Sequence, residues 1–202
     1  MTRSTGSYIT TTTLGEAVRA FVPHALPPAA PPLSADSYDA LNRAAELALA
    51  RLSGVSGLVP SLDWLLYSAI RKEALLTSQI EGTQATLSDL FDEEAGLEVH
   101  NADDLEEVTN YLRAQRWVRD NLRDPNGLPI STRLMCEAHR LLLDGVRGVG
   151  KQPGELRHSQ NWIGGTRPGN AVYVPPPAEH IADLLGDLER FIHAVAPALP
   201  PL

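Results

Sequence analysis

The spacing of hydrophobic and polar positions predicts a mainly α-helical chain. From residue 38 onward, apolar residues recur every three or four positions within successive segments, as expected for helices that bury one face. The spacing predicts six helices, which cover approximately residues 38–52, 61–80, 86–95, 103–123, 131–142 and 178–193.

Residues at the ends of these segments are typical of helix boundaries. Ser61 precedes the second helix, and Gly82 is predicted to end it in a left-handed backbone conformation. Gly54 is predicted to end the first helix. Thr86 and Asp89 have the spacing of a capping box at the start of the third helix.

Two stretches do not follow the helical pattern. Residues 1–33 are rich in threonine and proline, which predicts an extended or irregular arm with few hydrogen bonds of its own. Residues 161–163 and 171–174 favour strands and are separated by glycines, which predicts a β-hairpin. The predicted class is therefore mainly α with one β-hairpin.

Composition narrows the classes of function. The chain has 17 basic and 25 acidic residues, so its net charge of −8 opposes binding of a nucleic-acid backbone by the surface as a whole, while leaving room for a local basic patch. No apolar run approaches the length of a membrane span. The only cysteine, Cys136, lies in a helical pattern where a buried, inert thiol is expected. We expect a soluble, cytoplasmic protein that binds neither nucleic acid nor membrane through this part.

A polar stripe on the second helix is the first candidate site. Glu73, Thr77 and Glu81 are four residues apart and share one face of a continuous helix. From periodicity alone, a solvated helix face is the favoured interpretation. The glycine that follows, Gly82, allows the backbone to turn sharply or to approach another group closely.

The residues around this stripe resemble the N-terminal region of the Fic/Doc (filamentation induced by cAMP) family of protein adenylyltransferases. Thr77, Glu81 and Gly82 match the inhibitory motif of that family, within a similar run over residues 71–87. Residues 153–171 are similar to the segment that leads into and forms its active-site flap. The resemblance implies an incomplete Fic-like helical bundle with one flap hairpin. It divides the chain into an arm (1–33), an N-terminal helical region with the inhibitory helix (34–100) and the first part of the Fic domain (101–202).

The resemblance also implies roles for individual residues. Glu81 would reach the nucleotide site and pair with an arginine of the catalytic loop, so that this arginine no longer orients the γ-phosphate of ATP. Removal of the Glu81 carboxylate should then raise activity, and Thr77 would stabilise or orient the helix. Ile163, Gly164 and Gly165 would lie at the flap edge that holds the hydroxyl-bearing segment of a protein target.

The chain departs from the family pattern at the catalytic loop. None of its six histidines precedes the aromatic, acidic and Asn-Gly-Arg residues of that loop, and none has convincing metal-ligand spacing. The complete protein would use ATP and Mg²⁺. For this chain alone we assign no catalytic or metal-binding residue, expect no tightly bound cofactor, and predict no activity.

Three functional hypotheses follow from these observations. The first is that the chain is the regulatory and target-positioning part of an enzyme that transfers AMP to a hydroxyl side chain of a protein. The second is a naturally shortened, non-catalytic binding module that inhibits an intact Fic enzyme in trans. The third is a helical interaction protein without a nucleotide role, and the sequence is also compatible with a homodimer.

Overall fold

The structure is a computed structural model of the 202-residue chain, and it describes residues 4–27, 36, 38–80, 82–99, 102–145 and 152–195. Six α-helices and one two-stranded antiparallel sheet are formed within these residues, which confirms the predicted class. The strands are β1 (Gly6–Thr13) and β2 (Glu16–Pro23). The helices are α1 (Asp39–Ser56), α2 (Leu62–Ile80), α3 (Leu87–Glu94), α4 (Ala102–Arg123), α5 (Thr132–Leu142) and α6 (Ile181–Ile192).

The chain forms two compact units. Residues 48–155 make a helical unit, and residues 1–47 together with 156–202 make a second unit that contains the sheet. None of the described helices is both long and apolar enough to cross a membrane. The thiol of Cys136, which we predicted to be buried, is only half-buried on α5.

The core of the helical unit joins α2, α3 and α4. Its largest fully buried side chains are Leu90, Leu105 and Val108, which pack with Ala74 and Leu75 of α2. Removal of such side chains from water contributes about 1.5–3 kcal/mol each to folding. Helix α4 also packs against α5, so α4 is the element that the other helices of this unit share.

Most of the predicted helix ends are confirmed. The side chain of Thr86 accepts a hydrogen bond from the N–H of Asp89, and the Asp89 carboxylate accepts one from the N–H of Thr86, as predicted for a capping box. Ser131 caps α5. The prediction for Gly54 was wrong, because α1 continues through it to Ser56. A glycine inside a helix costs only about 1 kcal/mol relative to alanine, so it does not by itself end one.

Residues 6–23 form a hydrogen-bonded hairpin, whereas we predicted an extended or irregular arm with few hydrogen bonds of its own. Strands β1 and β2 pair in antiparallel register from Gly6 opposite Pro23 to Thr13 opposite Glu16. Leu14 and Gly15 both have positive φ values, 50° and 80°, which is the conformation of a two-residue hairpin turn that matches strand twist. The expectation of an arm failed because the prolines suggested irregular backbone, whereas the β-branched threonines fit a strand.

The hairpin predicted over residues 161–174 is reduced to a single antiparallel bridge between Ile163 and Tyr173. The chain after this bridge lies against β2, because the N–H of Phe21 donates a 2.9 Å hydrogen bond to the carbonyl of Val174. Val174 is buried with Val18 and other β2 residues. The predicted flap is thus supported by the N-terminal hairpin.

Candidate functional site

The first two residues of the polar stripe lie on the surface of α2. Glu73 and Thr77 are exposed on this helix, one turn apart. Glu81, the third member, lies outside the described residues, so the contact expected of its carboxylate stays a prediction. Gly82 follows it and is described in full.

Gly82 closes the C-terminal end of α2 with two hydrogen bonds. Its N–H donates to the carbonyl of Gln79 at 3.1 Å, and the N–H of Thr83 donates to the carbonyl of Ser78 at 3.2 Å. These are the paired bonds of a Schellman motif, with Gly82 at φ +101° in the left-handed position. The left-handed stop predicted from the sequence is confirmed.

The residues after Gly82 are tied to neighbouring elements of the helical unit. The amide of Gln79 donates to the carbonyl of Ala85 at 3.2 Å, and the N–H of Gln84 donates to the Asp104 carboxylate of α4 at 2.7 Å. Thr83 and Ala85 are buried. The backbone on the C-terminal side of position 81 is therefore held against α4.

A second polar cluster on α2 was not predicted. The guanidinium of Arg71 pairs with the Glu94 carboxylate at 2.5 Å and lies over the ring of Tyr67, 3.3 Å from its centroid. The hydroxyl of Tyr67 donates to the same carboxylate. The Arg71 side chain is only 8% exposed, whereas that of Glu94 is 34% exposed. This cluster connects the end of α3 to α2.

The cluster shifts the acidity of both of its weak acids. Burial opposes the charge on Glu94, but the hydrogen bonds from Tyr67 and Arg71, together with the attraction of Arg71 and Arg116, outweigh it and lower the pKa of Glu94. The hydrogen bond to Glu94, followed by burial, raises the pKa of Tyr67. Glu94 is therefore held as a carboxylate and Tyr67 as a phenol.

At the predicted flap, the backbone of Ile163 is already used within the chain. Its N–H donates to the carbonyl of Tyr173 at 2.8 Å, and its carbonyl accepts from the N–H of Tyr173 at 3.1 Å. The backbone of Ile163 is thus occupied, and its side chain is 61% exposed.

The turn that follows depends on its two glycines. Gly164 and Gly165 have φ values of +69° and +74°. A Cβ atom at Gly165 would lie 2.5 Å from the carbonyl oxygen of Asn170. The side-chain oxygen of Asn170 accepts hydrogen bonds from the N–H groups of Thr166 and Arg167, both at 3.0 Å. The turn is thus closed by the Asn170 side chain.

The base of the flap is attached more firmly than its tip. Trp162 packs against the buried cluster that includes Val18 and Val174. The amide of Gln160 donates to the carbonyl of Pro175 at 2.9 Å, and Arg157 donates to the carbonyl of Pro176. The two halves of the segment are thereby cross-linked by hydrogen bonds below the exposed turn.

The predicted site residues fall into the two compact units. Thr77 and Gly82 lie in the helical unit of residues 48–155, while Ile163, Gly164 and Gly165 lie in the unit that contains the sheet. Sequence reasoning missed the Arg71, Tyr67 and Glu94 cluster because Glu94 is 23 residues from Arg71 and nothing in the local pattern links them.

Comparison with known proteins gives one family match. Residues 39–119 match the family model described as Fic/DOC family N-terminal. This range contains Thr77, Glu81 and Gly82, whereas the flap residues lie beyond it. A search of curated proteins found no significant match.

Proposed function

We propose, from the match of residues 39–119 to the Fic/DOC family N-terminal model, that the chain is the regulatory and target-positioning part of a protein adenylyltransferase. The complete protein transfers AMP from ATP, with Mg²⁺, to a hydroxyl side chain of a protein target. Glu81 inhibits this reaction by pairing with an arginine of the nucleotide site. A carboxylate–guanidinium pair suits this role because it is charge-assisted and can be bidentate.

The observation that carries the proposal is the closed end of α2 within the matched region. The Schellman bonds around Gly82 and the anchoring of Gln84 to Asp104 fix the backbone directly after position 81. Because these following residues are already ordered, their backbone does not have to be ordered when a cation binds beside them, so less backbone entropy opposes such a pair. This supports an inhibitory role for Glu81 in preference to a solvated helix face.

The flap supports the target-positioning part of the proposal. Its turn at Gly164 and Gly165 is exposed, and an extended peptide can add to an exposed strand edge as a further strand. The exposed Ile163 side chain lies beside this turn and provides an apolar contact for a target. If the flap binds the backbone of the target, it can position a hydroxyl-bearing residue of that target without requiring one particular target sequence.

The test compares two polypeptides for transfer of labelled AMP to proteins of a cell extract. One is residues 1–202, and the other continues into the sequence that the reading frame encodes after Leu202. We expect no transfer above the blank by the first and Mg²⁺-dependent transfer by the second once Glu81 is replaced by Gln. Transfer by residues 1–202 alone would contradict the proposed division of roles. A stop codon directly after Leu202, or an extended protein that transfers no AMP, would reject the proposal in favour of a binding module.

A further inference from the structure

A groove between α2 and α4 is lined by four arginines. Arg71 comes from α2, and Arg116, Arg119 and Arg123 come from one side of α4, where they are spaced by three and four residues. The groove has a volume of about 240 Å³, and no carboxylate lies among the residues that line it. It belongs entirely to the helical unit of residues 48–155.

The positive charge of this groove is only partly neutralised. Glu94 pairs with Arg71, but none of the ion pairs among the described residues includes Arg116, Arg119 or Arg123. Four guanidinium groups less one carboxylate leave a local charge of 4 − 1 = +3. The chain as a whole carries −8, so the sign of the charge in this groove is opposite to the net charge of the chain.

The helix dipole accounts for only part of this arrangement. Cations are favoured in the last turn of a helix, and this explains Arg123, the last residue of α4. The effect falls off within that turn, and Arg116 lies seven residues earlier. Asp120 is four residues after Arg116, the spacing of a helical ion pair, yet the two form none.

Arg119 provides a second, independent observation. Its Nε atom is buried and has no hydrogen-bond partner in the part of the chain that the structure describes. A buried donor without an acceptor costs about 1–3 kcal/mol, and more for a charged group. An anion bound to the guanidinium groups that line the groove would offset the charge of Arg119 and of its neighbours.

We propose that this groove binds a phosphate group. Guanidinium groups match phosphate oxygens in a planar, bidentate geometry, and the three arginines that form no ion pair with a described residue lie on one helix face. The volume is below the 300–1,000 Å³ or so typical of pockets for drug-sized ligands, and it suits a monophosphate or diphosphate. The phosphate comes either from a free inorganic ion or from the end of a nucleotide. This site is independent of the proposed role of Glu81.

The test is calorimetric titration of residues 1–202 with inorganic pyrophosphate, ATP and an oligoglutamate peptide at low ionic strength. We expect pyrophosphate to bind with a Kd below about 1 mM. Arg119→Gln and Arg116→Gln should each weaken binding about tenfold or more, because each removes a charge-assisted contact. Arg133→Gln is the matched control, since Arg133 is exposed on α5 away from the groove and its loss changes the net charge equally.

The results of these titrations distinguish nucleotide phosphates from the free inorganic ion. Binding of ATP that both groove variants weaken would identify nucleotide phosphates as a source, and binding of pyrophosphate without ATP would identify the free ion. Arg116 is exposed, so its substitution tests the groove even if Arg119→Gln lowers the melting temperature. The proposal is overturned if pyrophosphate does not bind, if the groove variants bind it as well as Arg133→Gln does, or if only oligoglutamate binds.

Discussion

Gly82 determines how the chain leaves α2, because its φ of +101° is a conformation that side-chain-bearing residues rarely adopt. A Cβ atom at this position would meet no atom within 4 Å. Any cost of adding one therefore comes from the backbone conformation and not from a steric clash. This separation of causes makes Gly82 suitable for a substitution test.

Gly82→Ala should lower the free energy of unfolding by about 1–2 kcal/mol, the cost of a left-handed conformation for an L-residue. Gly54→Ala is the matched control, because Gly54 lies inside α1 and a Cβ there also meets nothing within 4 Å. That control should stabilise the chain by about 0.5–1 kcal/mol. Chemical denaturation of the two variants checks the prediction, and equal effects would contradict the assigned role of Gly82.

Glu94 should make the free energy of unfolding of the helical unit depend on pH. Its pKa in the folded chain is below the ordinary value of 4.5, so the folded state binds fewer protons than the unfolded state. The resulting stability is present above about pH 4.5 and is lost as the pH falls through the folded pKa. The pair with the buried Arg71 is what acid disrupts.

Glu94→Gln should lower the free energy of unfolding by about 2 kcal/mol at neutral pH, because it removes charge-assisted hydrogen bonds to Arg71. It should also reduce the loss of stability between about pH 6 and about pH 3. Glu98→Gln, at an exposed position nearby, is the control and should leave both quantities close to those of the unchanged chain. Parallel pH profiles for the unchanged chain and the Glu94 variant would rule out this role.

At the scale of single residues, the sequence predicted only those contacts whose partners are close together in the chain. The Thr86 and Asp89 capping box and the Gly82 stop involve residues three or four positions apart, so their spacing is visible in the sequence. The contact of Arg71 with Glu94 depends on how α2 packs against α3. No pattern in a single sequence specifies that packing.

Helix α1 buries no residue, a property that it shares with α6. Leu41, Leu49 and Leu52 on this helix remain more than 60% exposed, whereas α4 buries four residues. Most helical stability in proteins comes from tertiary packing of an apolar face. Helix α1 should therefore open more readily than α4.

Hydrogen exchange measures this difference directly. In residues 1–202, the backbone amides of α1 should be protected at least about tenfold less than those in the middle of α4. The exposed leucines of α1 also make it the helix whose protection would rise if a partner covered it. Equal protection of α1 and α4 at a low protein concentration would contradict the exposed state of α1.

The flap makes a prediction about target binding. In the extended, active protein, Ile163→Ala should raise the KM for the protein target several-fold and leave kcat unchanged, because it removes an apolar contact that does not take part in the chemistry. Val172→Ala is the control. Val172 is also exposed, but it neighbours Tyr173 in the chain and so lies on the opposite face of the strand from Ile163. Equal effects of the two changes would contradict binding of the target beside Ile163.

The two extended regions show why strands were harder to predict than helices. The flap was expected from the β-branched and aromatic residues near Tyr173, but only one bridge forms because the glycine turn and Asn170 close the segment early. The N-terminal hairpin was missed although Leu14 and Gly15 separate two strand-forming runs. Pairing between strands depends on contacts across the turn, which composition alone does not reveal.

At the scale of the whole molecule, the sequence predicted the fold class and the resemblance of residues 71–87 to the Fic/Doc family, and these residues lie within the matched range 39–119. The family match covers α1 to α3 and most of α4, where the helical spacing is clear. The arginine groove could not be predicted, because its members belong to two helices and their spacing on α4 also fits an ordinary charged helix end. Net charge describes the average of a surface and conceals a local patch of opposite sign.

The inhibitory role of Glu81 is the central claim, and the rate of AMP transfer tests it most directly. The extended protein is compared as Glu81→Gln and as Glu73→Gln, which removes the carboxylate two turns earlier on the same predicted stripe. We expect the Glu81 variant to label its target about tenfold faster or more, since a freed arginine can bind the γ-phosphate, and the Glu73 variant to match the unchanged protein. Equal labelling rates for all three proteins would contradict the account.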